Sequence, residues 1–111
     1  MRLLVLECAE TEFLEAIDYH NAQSPGLGSE FTEEVDRAFA EILSFPNAWP
    51  LFSARARRHH TRRFEYGILY GVFDEEIVVA AIMHLKRDPQ RWQGRVRATF
   101  GDAGAGASAA A

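Results

Sequence analysis

The chain has very little cysteine and no long apolar segment, and each shortage excludes a class of protein. Only Cys8 among the 111 residues is a cysteine, so an internal disulfide is excluded, and no Cys or His stands near it at zinc-ligand spacing. We expect Cys8 to be a small buried thiol. The longest uninterrupted apolar run covers residues 77–83, far fewer than the roughly 20 residues that cross a bilayer.

The start of the chain and its glycines offer no targeting or nucleotide-binding signal. The segment "MRLLVLECAETEF" turns acidic at Glu7 and lacks the length and cleavage site of a secretory signal. The glycines of "GLGSEF" and "GAGAG" do not stand between a strand and a helix of a βαβ unit, so neither indicates a phosphate loop. We therefore expect a cytoplasmic protein that uses no cofactor and no metal and does not bind a membrane.

The composition is that of one globular domain. Apolar residues make up 48% of the chain and charged residues 25%, which is ordinary for a folded domain with a single core. We assign this domain to residues 1–97. The remaining segment, residues 98–111, is rich in Gly, Ala and Ser with nothing to bury, and we predict a disordered tail.

The overall net charge of −4 hides an acidic half and a basic half. Residues 1–54 carry two arginines against ten carboxylates, a net charge of −8. Residues 55–111 carry ten Lys or Arg against six carboxylates, a net charge of +4. Such a basic half attracts phosphate or an acidic protein segment, so the division indicates a binding partner.

Hydrophobic periodicity predicts two consecutive helices after a short opening strand. "RLLVLE" is too short for a helix and is taken as the strand. Residues 9–23 repeat apolar side chains at steps of three and four, and "SPG" ends this helix. A second helix begins near residue 28 and ends at Pro46, with the clearest apolar stripe in the chain, formed by Phe31, Val35, Ala38, Phe39, Ile42 and Leu43.

The second half of the chain predicts three strands. "RRHHTRRF" is typical of an edge strand protected by charge, with His59 and His60 at the surface. "YGILYGVF" and "IVVAAIM" form a hairpin turning at Asp74 and Glu75, and the second of them belongs in the centre of the sheet. "DPQRWQGR" forms one short helical turn capped by Asp88. The predicted order is β-α-α-β-β-β, an α+β fold whose helical hairpin packs on one face of a small, mainly antiparallel sheet.

This order, together with "PGLGSEF", "FPNAWP", "RRFEYGILYGVF" and "AAIMHLKRDPQRWQGR", resembles the RelE/ParE superfamily of bacterial type II toxins, in particular its ParE-like branch, over residues 2–95. The resemblance implies a small toxin in a hetero-oligomer with an antitoxin, which covers its working surface. RelE-like members bind the ribosome and cleave messenger RNA. ParE-like members poison DNA gyrase and are not known as enzymes.

The resemblance also implies where a nuclease site would lie. RelE-like nucleases carry a basic residue on the third strand and a tyrosine after the last strand, at positions that match Gly67 and Trp92 here. Gly67 has no side chain to supply the basic group, and the indole of Trp92 cannot donate a proton as the tyrosine hydroxyl does. Metal-free RNA cleavage needs a base, an acid and a cation. If the chain is RelE-like, the catalytic residues are His84, Lys86 and Arg87. The alternative role for His84 is a hydrogen bond that fixes the end of the strand.

A dense arginine cluster is the second candidate site. We predict that these arginines, together with two residues of "DPQRWQGR", bind the antitoxin or the target. The predicted binding residues are Arg57, Arg58, Arg62, Arg63, Arg91 and Trp92. The alternatives are a solubilising edge strand for the arginines and a core position for Trp92. The leading function is a toxin that acts on gyrase. The rivals are a ribosome-dependent endonuclease and an inactive homologue that binds its antitoxin as a co-repressor.

Overall fold

The computed structural model describes residues 1–101, which form three helices and four strands. In chain order these are β1 Arg2–Val5, α1 Glu7–Gln23, α2 Leu27–Ser44, β2 Arg57–His60, β3 Tyr66–Phe73, β4 Glu76–His84 and α3 Pro89–Phe100. Within this range no helix combines the length and the apolar composition needed to cross a membrane.

The four strands form one sheet in the order β1-β4-β3-β2. β1 runs parallel to β4, while β4 with β3 and β3 with β2 are antiparallel. The predicted α+β class and the mainly antiparallel sheet are confirmed. β4 is an inner strand, as its apolar run predicts, and the arginine-rich β2 lies at an edge.

The helices α1 and α2 pack together on one face of the sheet, as the predicted hairpin does. Gly26 is the last residue of the connection between α1 and α2. Its φ is +88°, a conformation that glycine adopts without strain. A Cβ added at Gly28 would lie 2.6 Å from the side-chain nitrogen Nδ2 of Asn21 and 2.7 Å from the backbone carbonyl oxygen of Ile17. The glycine therefore allows α2 to begin in direct contact with α1.

A β-bulge in β4 decides which side chains face the helical hairpin. The register with β3 shifts between Leu69 and Tyr70, which leaves Ala80 as an extra residue. Ile77, Val79 and Ile82 consequently all join the core under α1 and α2. This explains a strand that is apolar on both faces and lacks strict alternation.

The predicted single helical turn at "DPQRWQGR" is wrong, because α3 has 12 residues. The predicted start is correct: the Asp88 carboxylate accepts a hydrogen bond from the Gln90 amide at 2.8 Å, and Pro89 occupies the first turn. The helix packs on the sheet face opposite α1 and α2 through Trp92, Val96 and Phe100, one residue per turn.

The length of α3 also corrects the domain boundary at residue 97. Residues 98–100 are helical, and Phe100 is buried in the second core, so they belong to the folded domain. The rest of the predicted tail, residues 102–111, lies outside the described residues. The expectation for Cys8 is also wrong, because this thiol is exposed at the start of α1.

Candidate functional site

A cleft of about 390 Å³ opens where β4 ends, between α1, β3 and the first turn of α3. The polar and aromatic side chains that line it include Glu15, Tyr19, Tyr66, His84, Arg87 and Arg91. The sequence predicts three of these as site residues: His84, Arg87 and Arg91. The volume lies within the range of small-ligand pockets, roughly 300 to 1,000 Å³.

The sheet register brings Tyr66 and His84 together. They are direct partners at the ends of β3 and β4, and their rings meet edge to face with centroids 5.5 Å apart. The Lys86 amide donates a hydrogen bond to His84 Nδ1 at 3.1 Å. Nδ1 thus acts as the acceptor, which places the proton of the neutral ring on Nε2. His84 therefore fixes the strand end, and its ring also lines the cleft.

A second histidine, His20 of α1, lies behind the cleft, where its ring packs against the cleft residues Tyr19 and Tyr66. His20 is 8% exposed, and its ring lies against Phe31, Phe64 and Tyr66 at centroid distances of 4.9, 4.9 and 5.7 Å. Its Nε2 atom is buried without a hydrogen-bond partner in the described chain. Burial lowers the pKa of His20, and nearby His84 lowers it further, which favours the neutral ring.

Burial of Tyr66 favours a protonated phenol. Burial raises the pKa of Tyr66, and the cation of Arg87 opposes this rise without cancelling it. Tyr19 of α1 completes the wall of the cleft, and this residue is 58% exposed. The only sequence signal for Tyr19 is an aromatic residue on the polar side of an amphipathic helix.

The arginine cluster of β2 and the following loop does not form one free basic surface. Arg57 donates to the Trp49 carbonyl at 2.7 Å. Arg62 pairs with Glu41 of α2 at 2.9 Å, and Arg63 pairs with Glu30 of α2 at 2.6 Å. Part of the charge division in the sequence is thus satisfied inside the molecule. A binding role for these three arginines stays a prediction.

His59 is buried, although the sequence predicts it at the surface. It is 2% exposed, its Nε2 lies 2.9 Å from Glu41, and its ring packs on Trp49 at a centroid distance of 4.4 Å. The prediction of a surface histidine is therefore wrong for His59, although His60 is exposed. Together with Arg62, His59 attaches β2 to α2.

Arg58 and Trp92 lie on the opposite face of the sheet from the cleft. The Arg58 guanidinium stacks over the rings of Phe52 and Trp92 at 4.7 and 4.8 Å, and burial lowers its pKa. Trp92 is 1% exposed, so its prediction as a binding residue is wrong and its alternative as a core residue is confirmed.

Gly67 faces this same packed region. A Cβ added to Gly67 would lie 2.9 Å from the Trp92 ring and 2.8 Å from Leu85 Cδ2. The β3 position that the nuclease resemblance requires to be basic has no space for a side chain in this packing. The predicted site residues therefore separate, with His84, Arg87 and Arg91 in the cleft and Arg58 and Trp92 on the other face.

The cleft contains no arrangement suited to a metal ion. Across residues 1–101, no three His, Cys, Asp or Glu side chains lie close enough together to hold one. The nearby carboxylate of Glu12 is already paired with Arg95 at 2.9 and 3.0 Å. The available chemistry is that of aromatic rings, a histidine and two guanidinium groups.

Several solved structures share this architecture. One is the chromosomal ParDE toxin–antitoxin system from P. aeruginosa, with 14% identity, a TM-score of 0.70, and coverage of 78% of this chain and 97% of that chain. Another is the isolated E. coli RelE toxin, with 22% identity, a TM-score of 0.57, and coverage of 86% of this chain and 96% of that chain. No protein-family model and no curated protein matches the chain.

At these identities the likeness establishes the fold. The chain has the RelE/ParE-like fold, the architecture of a class of small toxins. The chain is similar in fold both to a ParDE system and to the RelE toxin.

Proposed function

We propose that the chain is the toxin of a type II toxin–antitoxin module and that it inhibits growth by binding a macromolecular target in the cytoplasm, with DNA gyrase as the first candidate. The fold supports the toxin role, because one similar structure is of a toxin–antitoxin system and another is of a toxin. In this proposal the toxin forms a hetero-oligomer with its antitoxin.

One observation favours binding over RNA cleavage, namely the contact between Gly67 and Trp92. The indole occupies the space that a basic side chain on β3 would need. Arg58, the nearest cation, is held between two aromatic rings. This face of the sheet thus lacks a group that could stabilise a developing phosphate charge from β3.

A second candidate activity is RNA cleavage, and the cleft is the observation that favours it. Tyr66, His84 and Arg87 bring a protonated phenol, an imidazole and a cation into one cavity. These groups correspond to the acid, base and charge stabiliser of metal-free phosphodiester cleavage. Lys86 is exposed on the adjoining turn and adds a further cation.

The test is to induce the chain in cells without its antitoxin and to follow growth, transcript integrity and plasmid supercoiling. We expect arrested growth, altered supercoiling and intact transcripts. Cleaved transcripts with normal supercoiling would replace this function with RNA cleavage. Unaffected growth with soluble, folded protein would refute both activities and favour an inactive homologue that binds its antitoxin.

His84→Ala and Arg97→Ala are a useful pair in the same assay. His84 lies in the cleft, whereas Arg97 is exposed on α3 outside it. If the cleft cleaves RNA, His84→Ala abolishes transcript cleavage and Arg97→Ala does not. If growth arrest depends on binding alone, removing the imidazole leaves transcripts unchanged.

A further inference from the structure

The sheet has two outer edges, and they differ in how well they are protected. Beside β2, the Arg58 amide donates to the Pro50 carbonyl at 3.2 Å, so the preceding loop covers part of that edge. β2 also carries arginines, which discourage pairing with another strand. β1 has one charged residue, Arg2, and contains neither a proline nor a β-bulge, and none of its four residues is buried. β1 is therefore the edge that is open to a partner strand.

The pairing with β4 determines which backbone groups of β1 face outward. The amides of Arg2 and Leu6 donate to carbonyls on the β4 side, at 2.9 and 3.0 Å. Since alternate residues of a parallel ladder direct their backbone groups to the same neighbour, Leu3 and Val5 direct theirs away from β4. Within residues 1–101, the amides and carbonyls of Leu3 and Val5 have no hydrogen-bond partner.

These free groups match a second copy of the same strand in antiparallel orientation. An antiparallel partner bonds to both the amide and the carbonyl of one residue, and Leu3 and Val5 each have both groups free. When Leu3 pairs with Val5 of the second copy, Val5 pairs with Leu3 of that copy by symmetry. The two-fold axis then passes beside Leu4, which lies opposite its own counterpart.

The side chain at this centre favours the same arrangement. Leu3 and Val5 pack toward the helical hairpin, so Leu4 projects from the other face of the sheet, where it is 41% exposed. In the dimer the two Leu4 residues form a non-hydrogen-bonded pair, the closer of the two kinds of antiparallel pair. Each leucine thus removes apolar surface of the other from water.

Charge favours antiparallel copies over parallel ones. Arg2 begins β1 with its side chain 72% exposed, and the acidic residues Glu7 and Glu10 lie in the first turn of α1, directly after the strand. In the antiparallel dimer Arg2 lies opposite Leu6 of the second copy and therefore beside Glu7 of that copy. Parallel pairing would instead place Arg2 of one copy beside Arg2 of the other, which is unfavourable.

We propose that a second copy of the chain binds along β1, with Leu3 paired to Val5 and Leu4 at the two-fold axis, so that the two sheets join into one. The interface has few backbone hydrogen bonds and one central apolar pair. We expect a weak dimer, with a Kd on the order of 100 µM. The dimer uses no residue of the cleft and goes beyond the proposed function.

Sedimentation velocity of the purified full chain, from about 10 µM to about 1 mM, tests the dimer. The parent chain shifts from monomer toward dimer as its concentration rises. Leu4→Glu places two carboxylates at the two-fold axis and weakens association about tenfold or more. Leu51→Glu is the matched control, because Leu51 is 60% exposed beside Arg57 at the opposite edge of the sheet, and it leaves association unchanged. Circular dichroism checks that each variant is folded.

Cross-linking tests the register in a Cys8→Ser background. Opposite residues of a non-hydrogen-bonded pair have Cα atoms about 4.5 Å apart, which a disulfide can bridge, so Leu4→Cys gives a covalent dimer on mild oxidation. Arg2→Cys is the control in the same strand. The Arg2 residues of the two copies lie roughly 13 Å apart at about 3.3 Å per residue, beyond the reach of a disulfide, so this variant stays uncoupled.

Three results would each overturn the inference. They are a parent chain that stays monomeric at every concentration, association of folded Leu4→Glu equal to that of the parent, and cross-linking of Arg2→Cys as rapid as that of Leu4→Cys. None of these results depends on growth arrest, so the dimer and the proposed toxin function fail independently.

Discussion

Gly67→Ala tests whether the α3 face of β3 is closed to side chains. The added methyl group would lie 2.8 Å from Leu85 Cδ2, 2.9 Å from the Trp92 ring and 3.0 Å from Arg58 Cδ. Leu85 and Arg58 can move at their flexible ends. The Trp92 ring cannot, because it is 1% exposed and packed into the core.

The expected cost is therefore that of overpacking a rigid site, about 1 to 3 kcal/mol in the free energy of unfolding. Gly94→Ala is the matched control, because nothing lies within 4 Å of a Cβ at Gly94. Since Gly94 lies within α3 and alanine favours helix, this control raises stability by up to about 1 kcal/mol. The two glycine changes thus have opposite predicted signs.

Urea unfolding followed by far-UV circular dichroism measures both variants. A shorter ring in Trp92→Phe gives space to the new methyl group, so Gly67→Ala costs about 1 kcal/mol less in that background. If Gly67→Ala is as stable as the parent chain, the face is not closed. The main structural objection to a RelE-like catalytic group on β3 would then disappear.

Three further changes test the interactions around the site. Since burial and His84 hold the pKa of His20 below its ordinary 6.5, the unfolded chain binds more protons, and stability falls below about pH 6.5 by at most about 1.4 kcal/mol per pH unit. His20→Leu reduces this fall in urea titrations on both sides of that pH, and an unchanged slope would contradict it. Glu12→Gln leaves Arg95 without its carboxylate and lowers the free energy of unfolding by about 2 to 3 kcal/mol, measured by thermal unfolding. A decrease of less than about 1 kcal/mol would show that this ion pair contributes little to stability. Arg62→Ala removes an exposed ion pair with Glu41 and costs less than about 1 kcal/mol by the same method, and a larger loss would give the pair a structural role.

Local patterns in the sequence were sufficient for most of the fold. The stripe on α2 and the alternation in β3 each repeat over several turns or residues, and both elements form where they are predicted. The sequence predicts too short a helix at α3, because only Trp92, Val96 and Phe100 form its buried face and the residues between them are mostly polar. Gly94 further weakens the helical signal.

The candidate site was harder to predict, because side-chain partners come from distant segments. Arg62 and Arg63 meet carboxylates 21 and 33 positions earlier in the chain. His59 and Arg58 are adjacent in sequence but lie on opposite faces of β2, one bonded to Glu41 and the other stacked on Trp92. Only the assembled sheet shows that His84 and Trp92 belong to different faces.

The most direct test of the central claim uses the purified chain in two parallel reactions. One contains DNA gyrase and relaxed plasmid, and the other contains ribosomes translating a defined messenger RNA. The account predicts that the chain blocks supercoiling in a concentration-dependent way and leaves the messenger RNA intact. Ribosome-dependent cleavage of the messenger RNA, with supercoiling unaffected, would contradict it.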